Sequence, residues 1–73
     1  QLSARQAKIR AQLRGALKDG PRTVPAIAAA TGLPSREVFW HLMSLKKYGE
    51  VLEGAERDGY VEYLLKPKDE KRP

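Results

Sequence analysis

The chain has 73 residues, enough for one small domain with a single core and no separate substrate domain. It has no cysteine, which excludes a disulfide framework, a thiolate metal site and a cysteine nucleophile. Hydrophobic residues make up 41% and charged residues 32%, a balance typical of a folded domain rather than a disordered chain. No apolar run approaches the roughly 20 residues that cross a bilayer, so the expectation is a soluble cytoplasmic protein without membrane partners.

Leu2, Ile9, Leu13, Ala16 and Leu17 fall on one stripe at helical spacing, which predicts a first helix over residues 3–18. Ser3 is its expected N-cap, and Gly20-Pro21 stops it. Arg10, Arg14 and Lys18 stack nearly opposite the apolar stripe. They read first as a solvated face, and otherwise as a track for the phosphates of double-stranded RNA or nonspecific DNA. Thr23 is placed to cap a short second helix, with Pro25 in a first turn that tolerates its missing amide. Gly32 follows as the left-handed C-terminal residue.

Ser35 is the expected cap of a third helix over residues 35–48. Val38, Leu42 and Leu45 repeat at i, i+4, i+7 and point inward. A turn of about 100° per residue then places Arg36, Trp40, Met43, Ser44 and Lys47 outward, with Phe39 and His41 on opposite flanks. Strands are predicted over residues 50–55 and 60–66, joined by Glu56-Arg57-Asp58-Gly59, because Asp-Gly between strand-prone runs signals a hairpin. Residues 67–73 read as a polar, disordered tail. The expected fold is α+β, mainly α: three helices followed by a two-stranded hairpin, in one domain over residues 1–66.

Ile27-Ala28, Thr31-Gly32-Leu33, Ser35, Val38, Leu42, Leu45, Gly49, Val51, Gly59, Tyr63 and Leu65 carry a resemblance. The stretch of residues 23–65 resembles the winged helix-turn-helix superfamily, which includes arsenical-resistance-type and multiple-antibiotic-resistance-type bacterial repressors. The resemblance implies a DNA-binding module of a transcriptional regulator, with residues 35–48 as the helix in the major groove and the hairpin as a wing. It further implies double-stranded DNA as the partner and Thr23, Ser35, Arg36, Trp40, His41, Ser44, Lys47 and Arg57 as the contact residues. Arg36 suits a guanine edge or a phosphate, Ser44 and Lys47 a base edge and the backbone, and Arg57 is the wing's cation.

Two features run against that reading. The outward face carries Phe39, Trp40 and Met43, where DNA readers place polar residues. Such a face serves equally as a protein-binding or self-association surface, or Trp40 lies half-buried under the wing. The charge is also uneven. Residues 1–36 hold seven basic residues against one acidic, whereas residues 37–65 hold three against six, including Glu53, Glu56 and Asp58 around the wing. Local negative charge repels phosphates.

His41 follows Glu37 by one helical turn, but two ligands do not make a metal site. Tyr60 and Tyr63 are expected to pack the hairpin rather than form a base-stacking sheet. No nucleophile–base pair or glycine-rich phosphate cradle is present, so neither an enzyme nor a cofactor is expected.

Overall fold

The computed structural model describes residues 3–67. Six elements follow in order: α1 (Ala4–Leu17), β1 (Arg22–Thr23), α2 (Val24–Thr31), α3 (Ser35–Lys47), β2 (Val51–Arg57) and β3 (Tyr60–Leu65). Leu2 and residues 68–73, most of the expected tail, lie outside the described residues.

α1 begins with a capping box: the Ser3 hydroxyl accepts from the Gln6 amide at 3.1 Å, and the Gln6 side chain accepts from the Ser3 amide at 3.3 Å. These bonds satisfy two amides that the helix cannot pair internally. Thr23 caps α2 by accepting from the Ala26 amide at 3.4 Å, and Pro25 sits in the first turn. Gly32 closes α2 at φ +78°, where its amide donates to the Ala28 carbonyl at 2.8 Å. That left-handed residue reverses the chain between the two helices.

The cap of α3 differs from expectation. Pro34 occupies the cap position without a side-chain hydrogen bond, and Ser35 is the first helical residue. The extended ψ of 143° at Pro34 lets its own carbonyl start the helix, accepting from the Glu37 and Val38 amides. The Ser35 hydroxyl is therefore left on the exposed surface.

The sheet has three strands rather than two, in the order β1-β3-β2, all antiparallel. The added strand is the pair Arg22–Thr23, which lines up with Tyr63 and Glu62 and ties the entry of α2 to the wing. Two residues after a glycine-proline stop, the second of them already the cap of α2, are too few for an alternating pattern to show. The hairpin turn is tighter than the four residues expected. Asp58 at φ +53° and Gly59 at φ +84° form the whole connection, as a two-residue turn with both central residues left-handed demands. A register shift between Glu53 and Glu56 bends β2 above that turn.

One core holds the elements together. Ile9, Leu13 and Leu17 of α1 meet Ile27 of α2, Val38, Leu42 and Leu45 of α3, Val51 of β2 and Tyr63 of β3. Ala28, Leu33 and Leu65 pack at its edge. The inward stripe of α3 is the one its spacing predicts, which settles the rotation of that helix and hence what it shows to solvent. The arrangement is a winged helix-turn-helix.

Candidate nucleic-acid interface

With Val38, Leu42 and Leu45 locked inward, Arg36, Phe39, Trp40 and Lys47 are exposed on α3. Phe39 is 48% and Trp40 57% exposed, so Trp40 is not tucked under the wing. It leans toward α1, where it borders a groove with Gln6 and Arg10, and its ring meets that of His41 edge-on at 4.9 Å. Met43 and Ser44, expected to point outward, are half-buried instead. Met43 packs against the core, a position its unbranched chain reaches easily. The Ser44 hydroxyl accepts from Nη2 of Arg10 at 2.7 Å.

His41 is the clearest departure among the sequence-selected residues. It is only 4% exposed and lies inside the α1–α3 junction rather than on a flank. The inward arc of α3 is wider than the three aliphatic residues imply, and α1 covers its edge. Burial lowers the His41 pKa below its ordinary 6.5, and the neighbouring Arg10 and Arg5 guanidiniums add to the effect while the Glu37 carboxylate opposes it. The folded state thus holds His41 neutral, whereas the unfolded chain takes up a proton near 6.5. Stability from this group is complete above that pH and falls as the pH drops toward the lowered folded value. We expect the urea midpoint to decrease between about pH 7 and 5, and His41→Met to flatten that decrease. An equal slope in wild type and variant contradicts the assignment.

The charged residues are arranged differently from what their order along the chain implies. Arg5 bonds Glu37 at 3.0 Å, and Arg14 bonds Glu50 at 2.8 Å. Lys46 bonds Glu53 at 2.6 Å, and Arg57 bonds Glu62 at 2.8 Å. Two of the three cations of the α1 stripe are engaged, since Arg10 and Arg14 reach across to Ser44 and Glu50, while Lys18 is exposed. Such surface pairs add little to stability, and their larger effect here is on the surface potential. Four carboxylates around α3 and the wing are neutralised from within. Among the described residues, Arg36 and Lys47 form no ion pair, and neither do Glu56 and Asp58 at the wing tip.

The remaining selected residues fall around this face. Ser35 and Arg36 lie in the first turn of α3, and Thr23 is half-buried at the start of α2. The Thr23 oxygen is an acceptor in its cap, which leaves its proton free to donate. Arg57 sits on the wing but is engaged by Glu62. Tyr60, expected to pack within the hairpin as Tyr63 does, is 52% exposed and shares a groove with Phe39. Alternation along β3 could have flagged it, because Tyr60 falls out of phase with the inward Tyr63. Among the described residues, no group of three His, Cys, Asp or Glu side chains is placed to hold a metal ion. No helix among them is long and apolar enough to cross a membrane.

The fold and this face define a winged helix-turn-helix domain with a mixed cationic and aromatic third helix. No protein-family model matches the chain, and no curated protein matches it. Among solved structures it is similar to the homodimeric winged helix-turn-helix DNA-binding domain, fragment 1–100, of a possible ArsR-family transcriptional regulator from Mycobacterium bovis. The two superpose with a TM-score of 0.69 at 26% identity, over 88% of this chain and 72% of the other.

Proposed function

We propose that this domain is the DNA-binding module of a transcriptional regulator and that it lays α3 in the major groove. The observation that carries the reading is the charge on that helix: Arg36 and Lys47 face outward and form no ion pair among the described residues, while Glu37, Glu50, Glu53 and Glu62 are paired inside the molecule. Negative potential near α3 was one argument against DNA, and those pairs reduce it around Glu37, Glu50 and Glu53, while Glu56 and Asp58 keep the wing tip acidic. The DNA-binding domain from Mycobacterium bovis, alike in fold, supports the same reading.

Arg36 is assigned to a guanine edge and Lys47 to a phosphate, with Ser35 and Thr23 donating to the backbone near the start of α3. His41 is left out of this set because it is buried, and Ser44 because Arg10 holds its hydroxyl. Arg57 contributes little, since Glu62 engages it and the unpaired Glu56 and Asp58 flank it. Two to four phosphate contacts give a salt slope of about −2 to −4, so affinity falls roughly 10- to 150-fold between 50 and 200 mM salt. Fluorescence anisotropy with labelled duplex DNA measures this, and no binding at the lower salt refutes the proposal.

The exposure of Phe39 and Trp40, with Met43 beside them, favours a second reading: a protein-binding or self-association surface. Its mark is a Trp40 emission that moves to the blue as the protein is concentrated without DNA, readable because Trp40 is the single tryptophan.

A further inference from the structure

Two apolar grooves lie on either side of Phe39. The one toward the wing is bordered by Arg36, Phe39, Tyr60 and Val61. The one toward α1 is bordered by Phe39, Trp40, Met43, Lys47 and Tyr48. Each combines aromatic walls with an exposed α3 cation that forms no ion pair among the described residues, and Arg10, whose guanidinium is held by Ser44, also borders the groove toward α1. Arg36 and Lys47 are eleven residues apart, about 16 Å along the helix axis. The same combination is thus offered twice along one helix: flat apolar surface with a spare positive charge at its rim.

The floor of the duplex major groove suits Arg36 but does not match the aromatic part of this offer. It presents donors and acceptors, with the thymine methyl as its apolar feature. Pressing Phe39 and Trp40 against it strips water from base edges and returns no hydrogen bond. The faces of the bases are apolar and stack well on aromatic side chains, but pairing covers them. A strand with unstacked bases exposes those faces and carries one phosphate for each. A second copy of this chain fits less well. A symmetric contact through this face sets Arg36 and Lys47 of one protomer against the same cations of its partner, with the nearby carboxylates Glu37 and Glu53 already paired.

We propose that the Phe39–Trp40–Tyr60 face binds unpaired DNA bases, in a locally opened duplex or a single strand, where Arg36, released from the guanine edge it addresses in paired duplex, joins Lys47 on the phosphates. This rests on the nucleic-acid reading above and names the form of DNA that the face prefers. The test compares three labelled probes of one sequence at one salt concentration: a perfect duplex, the same duplex with a central mismatched bubble, and the single strand. Binding to the bubble or single strand about tenfold tighter than to the perfect duplex is expected, with Trp40 emission quenched on binding. Trp40→Ala should cost about tenfold on the unpaired probes and less than about twofold on the perfect duplex. Circular dichroism confirms that the variant is folded. Equal or weaker binding to the unpaired probes, unchanged Trp40 emission, or an equal loss on all three probes overturns the proposal. Duplex binding without preference sinks this inference and spares the regulator reading, whereas single-strand binding without duplex binding does the reverse. A blue shift with protein concentration alone overturns it in favour of self-association.

Discussion

Leu42→Ala should lower the free energy of unfolding by about 2–5 kcal/mol. Leu42 is fully buried on α3, and its side chain belongs to the single cluster that joins all three helices to β2 and β3. Removing it loses the transfer free energy of the buried groups and leaves a cavity that close-packed neighbours fill only partly. A domain of this size has about 4–11 kcal/mol of stability in total, so one truncation removes a large share. In a thermal melt followed by circular dichroism, a loss of 3 kcal/mol corresponds to a drop of roughly 12–24 °C. Leu52→Ala is the matched control, because Leu52 is 39% exposed on β2 and its truncation should cost under about 1 kcal/mol. Equal shifts for the two variants mean that α3 is rotated from the orientation described. Arg36 and Lys47 would then no longer face outward together, so a stability measurement also bears on the binding face.

The aliphatic framework was legible from spacing alone. Val38, Leu42 and Leu45 recur at helical intervals, and they, rather than the neighbouring Phe39 and Trp40, form the fully buried face. Caps at Ser3 and Thr23 and the turns at Gly32 and Asp58-Gly59 were equally readable, because each depends on a local conformation few residues adopt. What escaped was set by distant partners. The strand at Arg22–Thr23 exists through its pairing with Glu62 and Tyr63, about forty residues away. His41 is interior because α1 lies across it. The uneven charge was only partly readable in the same manner: a basic first half and an acidic second half suggested a repelling wing, and Glu56 and Asp58 do stay unpaired at its tip among the described residues. In the fold, Arg5 and Arg14 of α1 cross to Glu37 and Glu50, and the imbalance becomes internal pairing. Sequence order cannot show which opposite charges will meet, so the free cations became identifiable only once the paired ones were known.

Arg36→Ala and Lys47→Ala should therefore weaken DNA binding in different ways. Arg36 stands in the first turn of α3, where a guanidinium can address a guanine edge with two parallel hydrogen bonds. Losing such a contact costs about 1–3 kcal/mol, a fall of roughly 5- to 150-fold on a preferred sequence and far less on random duplex. Lys47 ends the helix, and an ammonium at that place meets the backbone as a point charge. Its removal should lower affinity similarly on every sequence and reduce the salt slope by about 1. A preferred site selected from a randomised duplex pool supplies the specific probe, and anisotropy over a salt series reads both effects. The decisive comparison is the double variant Lys46→Ala, Glu53→Ala. Lys46 is adjacent to Lys47 and carries the same charge, but Glu53 holds it at 2.6 Å. Removing both members leaves the net charge unchanged, so the salt slope should stay within error of wild type. A double variant that behaves like Lys47→Ala would mean that internal pairing does not decide which cations DNA meets, and the charge argument for this face would fail with it.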